Sequence, residues 1–298
     1  MPTLTNLKEN VVLAPYTTYK IGGKADYFFT ANNKDDLVKA INWSKERSIP
    51  FFVLGGGSNI LVGDGGFRGL VIYNKAQNFK FDGELLIAES GAVISDLIGR
   101  SLERGLSGLE HFAGIPGTVG GAIRQNLHFL SPDRASTIFI ESIVKHGLVL
   151  EGVIEKKVEK DYFKFGYDDS ILHHNKDICV LETTFELESK DPKLIQTQIS
   201  ANLDWRNQKQ TQLSSFPSCG SVFKKIEGIG AGRLIEKCGL KGKQIGGALI
   251  PEKHANYIVN TGNATARNVR ELITLVQEKV FKETGHKLEP EISFIGEF

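Results

Sequence analysis

No stretch of this sequence is apolar for long enough to cross a bilayer, which takes roughly 18 residues or more. The first twenty residues, MPTLTNLKENVVLAPYTTYK, lack the long apolar centre of a secretory leader. A cytoplasmic protein with no membrane partner is therefore expected. Charge of one sign is missing too. The 298 residues carry 36 basic and 35 acidic side chains. That balance argues against a nucleic-acid or polyanion binder, although it leaves room for a basic pocket around a small anion. Cysteine is scarce. Cys179, Cys219 and Cys238 form no C-x-x-C pair, and an odd count without a leader points to reduced thiols. No spacing of ligand residues matches a metal site, so none is expected; His173 and His174 are adjacent and read as a polar loop. Repeats and low-complexity tracts are absent.

Glycine is plentiful, at 32 residues, and it is clustered. The intervening sequence alternates strand-like and helix-like patterns. Residues 33–48 place Leu37, Ala40, Ile41 and Ser44 on one helical face, and FFVL (51–54), NILV (59–62) and GLVIY (69–73) read as strands. ELLIAES (84–90) predicts a strand, and VISDLIGRSLERG (93–105) a helix ended by Gly105. The segment 138–158 predicts a hairpin turning at His146-Gly147. Another strand follows at DICVLETTFELE (177–188), and Asp191-Pro192 begins a linker. A helix near 193–208 opens the last segment. The clearest helix is 265–285, whose Val269, Leu272, Ile273, Val276 and Val280 make one apolar stripe closed by Gly285. These patterns predict three regions, 1–75, 76–190 and 191–298.

Two glycine clusters interrupt the apolar runs: GGGSN (55–59) and AGIPGTVGGA (113–122). Neither is a P-loop, because no Lys-Ser/Thr follows the glycines. The dinucleotide fingerprint G-x-G-x-x-G also fails at 55–60, where Ile60 takes the last glycine position. What survives is the underlying physics. Bare backbone N–H groups can converge on an anion, and glycine lets them come close. Two such loops in one chain point to the diphosphate of a nucleotide-type cofactor.

The motifs YTTYKIGGKADYF (16–28), VLGGGSNILV (53–62), GFRGLVI (66–72), GLSGLEHFAGIPGTVGGA (105–122), CGSVFK (219–224), AGRLIEKCGLKGKQIGGA (231–248), EKHANYIVNTGNAT (252–265) and LEPEISFIG (288–296) resemble, in order, those of the UDP-N-acetylenolpyruvoylglucosamine reductase family. The short spacing between the last two motifs resembles the form without long C-terminal-domain insertions. The resemblance implies an α/β and α+β fold: a two-subdomain FAD-binding region of the vanillyl-alcohol-oxidase (PCMH) type, then a C-terminal α+β substrate domain. It implies FAD as cofactor, NADPH as reductant, a UDP-sugar substrate of cell-wall synthesis and a monomeric enzyme. Gly55, Gly56, Gly57, Ser58 and Asn59, with Gly114, Ile115, Pro116, Gly117, Thr118, Gly120, Gly121 and Ala122, resemble the loops that wrap the FAD pyrophosphate. Ile21 and Gly22 resemble a third contact.

By the same resemblance Ser221 is the proton donor and Glu291 the catalytic carboxylate. Lys209, Lys224, His254 and Tyr167 match substrate-contacting positions. Three stretches depart from the family pattern. Where the family has Tyr-Arg-x-Ser, with an arginine facing the substrate's developing charge, this chain has Tyr167-Asp168-Asp169-Ser170. After the second glycine loop the family's Asn-Ala-Gly-Ala-Tyr-Gly is replaced by QNLHFLSPD (125–133), and after GSVFK its Asn-Pro is replaced by Lys225-Ile226. Three consequences are open: another cation among Arg124, Lys164, Lys225, His173 and His174 replaces the arginine; the substrate differs; or the chain binds flavin or a nucleotide sugar without turnover.

Overall fold

A computed structural model describes residues 4–131, 136–209, 216–226 and 228–298. In chain order the elements are β1 (Lys8–Val12), β2 (Lys24–Ala31), α1 (Lys34–Glu46), β3 (Phe51–Leu54), β4 (Ile60–Val62), β5 (Phe67–Asn74), β6 (Phe79–Asp82), β7 (Leu85–Glu89) and α2 (Ile94–Leu102). Next come β8 (Leu106–Ser107), α3 (Val119–Gln125), β9 (His128–Leu130), β10 (Thr137–Phe139), β11 (Val144–Glu151), β12 (Ile154–Glu159), α4 (Ile171–His174), β13 (Ile178–Glu186) and β14 (Glu188–Ser189). The chain ends with α5 (Pro192–Lys209), α6 (Ala231–Lys237), β15 (Gln244–Ile245), β16 (Ala248–Leu249), β17 (Val259–Asn260), α7 (Ala266–Thr284) and β18 (Ser293–Ile295). They fall into two compact units, neither continuous in sequence. The first holds Met1–Leu7, Phe29–Gly56 and Val71–Arg206; the second holds Lys8–Phe28, Gly57–Leu70 and Asn207–Phe298. Boundaries drawn along the chain do not describe this division, because strands β2 and β5 each begin in the second unit and finish in the first.

The first unit is built on an antiparallel sheet of order β12-β11-β13-β7-β6. Its core joins Leu86 and Ala88 of β7, Leu97 of α2, Ile123 of α3, Val149 of β11 and Phe185 of β13. Helix α1 starts where expected. Asn33 caps it by accepting from the Asp36 N–H at 2.9 Å, and Asp35 and Asp36 sit in the first turn, where the helix dipole favours acids. The hairpin of β11 and β12 corrects the sequence reading. It turns at Gly152-Val153, since Glu151 pairs with Ile154, and Gly152 takes the positive φ (+64°) that a two-residue turn needs at its first position. His146 and Gly147 lie inside β11. Gly147 is there for a different reason: a Cβ would come 2.7 Å from the Phe163 ring. Asp191-Pro192 is no linker either. Asp191 accepts from the Lys193 N–H at 2.9 Å at the head of α5, and α5 packs Ile195 and Ile199 into this core.

The second unit gathers Tyr19, Ile21 and Leu61 with the apolar faces of α6 and α7. Strands β15-β16-β17 form an antiparallel ladder, and β18 pairs parallel with β4. Helix α7 follows its sequence closely. Thr265 and Asn268 form a reciprocal cap, and Gly285 ends the helix at φ +74°. Its stripe of Val269, Leu272, Ile273, Val276 and Val280 is buried. Among the described residues, no helix is long and apolar enough to cross a membrane, and no cluster of three or more His, Cys, Asp or Glu could hold a metal ion. The three cysteines are free.

Candidate active site

The first unit brings the start of one glycine cluster against the second. A Cβ on Gly55 would meet the Thr118 hydroxyl at 2.6 Å, and one on Gly56 would lie 3.7 Å from Gly117 Cα. At Gly117 itself a Cβ would project into open space. Two backbones thus face one another with open space at Gly117, an arrangement whose amides an anion can approach closely. Its far wall is rigid. Ile94 N–H donates to the Gly117 carbonyl at 3.1 Å, Val119 N–H to Ala92 at 2.9 Å and Gly120 N–H to Ser90 at 2.7 Å. Upstream, the buried Glu110 carboxylate accepts from the Ser107 hydroxyl and from Gly108 N–H, and Asn202 Nδ2 donates to the Glu110 and His111 carbonyls. Gly114, at φ +82°, lies against Arg206 and Leu203. Neither Glu110 nor Asn202 stands out in the sequence, because a buried structural acid looks like any other until its donors are known. These residues fit the pyrophosphate of FAD.

The rest of the first cluster belongs to the second unit. Gly57, at φ +63°, has its carbonyl held by both Thr18 N–H and Thr18 Oγ1, at 3.1 and 3.2 Å. Ile21 buries its side chain in the core, and Gly22 faces Val62. Ser58 is half-buried. Asn59 Nδ2 donates to the main-chain carbonyl of Glu291 at 3.4 Å, and Ser293 N–H returns to the Asn59 carbonyl at 3.1 Å.

Glu291 in turn adjoins Ser221. Its N–H donates to the Val222 carbonyl at 2.8 Å, and Lys224 N–H donates to Glu289 at 2.9 Å. On the other side Ser221 bridges Tyr257, and Val222 N–H donates to the Asn256 carbonyl at 2.8 Å. Asn256 clamps Phe223 through both of its amide atoms, at 3.0 and 2.8 Å. Residues 221–224 are therefore a short extended strip between the segments carrying Tyr257 and Glu291. Beneath it lie the buried Tyr19 hydroxyl and Cys219 thiol. Burial pushes the Cys219 thiol well up, and the Glu291 carboxylate adds to the shift. That thiol stays protonated and unreactive.

His254 is half-buried, with its ring 4.5 Å from that of Tyr257. Its Nδ1 is buried without a hydrogen-bond partner among the described residues. Burial, with Lys241 as a lesser cause, holds the imidazole below its ordinary range and so neutral. The unfolded chain takes up that proton at about pH 6.5. The unfolded state then binds more protons than the folded one, so this contribution to stability is present above that pH and lost as pH falls through it. Melting curves at about pH 7.5 and about pH 5.5 are expected to show a drop toward acid that shrinks in His254→Gln. An equal drop in the variant assigns the effect elsewhere, for instance to His111, whose imidazole burial also lowers.

Tyr167 is exposed, in the first unit, with its ring 4.7 Å from that of His128. Lys224 is half-buried and Lys225 exposed. Lys209 ends α5, and its side chain lies outside the described residues.

Comparison with known proteins matches residues 210–295 to the C-terminal domain of UDP-N-acetylenolpyruvoylglucosamine reductase and residues 25–138 to an FAD binding domain. A reductase of that name from Caldicellulosiruptor bescii is 40% identical over 96% of this chain and 90% of its own length. One from Clostridium botulinum is 38% identical over 98% of this chain and 94% of its own. The crystal structure of UDP-N-acetylenolpyruvylglucosamine reductase from Thermus caldophilus superposes with a TM-score of 0.81 at 30% identity, covering 96% of this chain and 97% of that one.

Proposed function

The chain belongs to the UDP-N-acetylenolpyruvoylglucosamine reductase family, and we propose that it reduces UDP-N-acetylglucosamine enolpyruvate to UDP-N-acetylmuramate, a precursor of peptidoglycan. Bound FAD would supply hydride chemistry, linking NADPH as reductant to C3 of the enolpyruvyl ether. The chain's own residues do the rest. The facing backbones of Gly55, Gly56, Gly117 and Thr118, with Gly114 to Ala122, hold the cofactor's pyrophosphate. Ser221 gives its hydroxyl proton to C2. A serine is a weak acid, so the step depends on the hydroxyl's position against a strongly basic carbon. Glu291 orients that hydroxyl and aids its reprotonation. Lys224, Lys209, His254 and Tyr167 contact the UDP-sugar. On this reading the chain acts as a cytoplasmic monomer, without nucleic acid or membrane.

The observation that carries the reading is the strap from Asn59 to Glu291 to Val222, which seats the acid and the hydroxyl on adjoining main-chain segments. A two-step titration tests it. The purified protein is expected to show a flavin band that NADPH bleaches and the enolpyruvyl sugar restores. A band that bleaches without returning would point to another substrate; one that never bleaches would leave a binding protein.

A further inference from the structure

Within the second unit, the strip that carries Ser221 changes partner one residue past the serine's neighbour. Ser221 bridges Tyr257 in the antiparallel sense, and Val222 N–H donates to the Asn256 carbonyl at 2.8 Å. Phe223 comes next, and on this side it is paired by a side chain instead of a main chain. Its N–H donates to Asn256 Oδ1 at 3.0 Å, and its carbonyl accepts from Asn256 Nδ2 at 2.8 Å. A carboxamide holds an acceptor and a donor in one plane, as a peptide unit does. Asn256 therefore extends the ladder one residue beyond the bond made by its own carbonyl. The opposite flank needs no such device. There Phe223 bridges Pro290, between the bonds from Glu291 N–H to Val222 and from Lys224 N–H to Glu289.

The paired groups are hidden from solvent. Phe223 is 2% exposed and Asn256 8%. A buried N–H or carbonyl left without a partner bears its full desolvation cost, so the clamp is not idly exchanged. Asn256 is also firmly seated. Tyr257 N–H donates to the His254 carbonyl at 3.1 Å, closing a turn around it. Gly232 of α6 lies against it: a Cβ at 232 would stand 3.6 Å from both the Asn256 Cβ and its main-chain nitrogen. Helix α6 in turn buries Leu234 and Ile235 in the core of the unit. The side chain thus links that core to the residue two places after Ser221. Its chemistry is specific, since an ionised aspartate would keep the acceptor and lose the donor, and alanine would lose both.

Resting on the reductase reading, in which Ser221 gives the proton, we propose that Asn256 is the positioning residue for that hydroxyl. It acts through the strip. By fixing Val222 and Phe223 against the segment that carries Glu291, it keeps the acid and the hydroxyl in one register. A group misplaced by about 1 Å costs up to about a hundredfold in rate. Because the Glu291 flank still holds the strip when the clamp is gone, the contribution of Asn256 is smaller, about tenfold.

Asn256→Ala vacates room for water, which satisfies Phe223 without holding it. Return of the flavin band on addition of the enolpyruvyl sugar is expected to slow about tenfold, with FAD content and bleaching by NADPH unchanged. Slowing of both phases together marks a general loss of structure and overturns the proposal, as does no slowing at all. A double variant supplies the readout that a merely structural residue would not move. With Ser221 already alanine, Asn256→Ala should slow the second phase by no more than about twofold further, because a residue acting through the hydroxyl has nothing left to position. Equal slowing in the two backgrounds also overturns it. Should Asn256→Ala fail to fold, Asn256→Asp, which keeps the shape and the acceptor, decides by the same cycle. A normal second phase in Ser221→Ala removes the serine and this proposal together. A slow Ser221→Ala beside a normal Asn256→Ala removes the positioning role alone.

Discussion

Replacing Ser221 by alanine is expected to slow return of the flavin band on addition of the enolpyruvyl sugar by about 10²–10⁴-fold, the usual worth of a positioned proton donor. The same variant should bleach with NADPH at the normal rate. On the proposed mechanism the two phases separate, because proton transfer from Ser221 to C2 belongs only to the second half-reaction. The geometry makes this a clean experiment. Ser221 is half-buried, and its segment is held by main-chain bonds from Val222 to Asn256 and from Glu291 to Val222. Removing one oxygen leaves those bonds in place, so a folded, yellow protein is expected. Glu291→Gln should give a smaller loss, since the amide still occupies the site but cannot return a proton. A Ser221→Ala variant with a normal second phase would remove the serine from the mechanism.

The second large effect is on the cofactor itself. Gly55→Val should weaken FAD retention by up to about a hundredfold, and the protein should purify colourless. A Cβ at position 55 would stand 2.6 Å from the Thr118 hydroxyl, well inside contact distance, and a branched side chain adds more bulk. Thr118 cannot retreat easily, because Gly117, Val119 and Gly120 are all strapped to residues 90–94. Overpacking of this kind costs about 1–3 kcal/mol, here through displacement of one loop from the other. A double variant separates this from a general loss of fold. Removing the obstructing hydroxyl in Gly55→Ala/Thr118→Ala should recover much of the affinity lost in Gly55→Ala alone, a coupling expected only for groups in contact. Full FAD content in Gly55→Val, by absorbance after gel filtration, would place the pyrophosphate elsewhere.

Much of this was readable in the chain before any coordinates. Helix α7 announces itself in its stripe, its Thr265 cap and Gly285, because local chemistry alone determines a helix end. The glycine clusters likewise point to a cradle. Failures came where one residue type serves two purposes. Glycine at 147 looks like a turn, yet it is there to admit the Phe163 ring from a distant part of the chain. Asp191-Pro192 reads as a spacer, although the same pair begins a helix equally well. The approach of His128 Nδ1 to Asp168 Oδ1, at 3.4 Å, was illegible for a third reason: no spacing rule links positions 128 and 168.

Strand β18 is made long after its partner β4, from which it is far removed along the chain. During synthesis, Ile60–Val62 must wait with an unpaired edge until Ser293–Ile295 clears the ribosome, and the neighbouring segment Lys8–Phe28 waits for its core mates in α6 and α7. The second unit can close only after β18 has been made, and an exposed strand edge held open that long is the point at which a chaperone would be needed most.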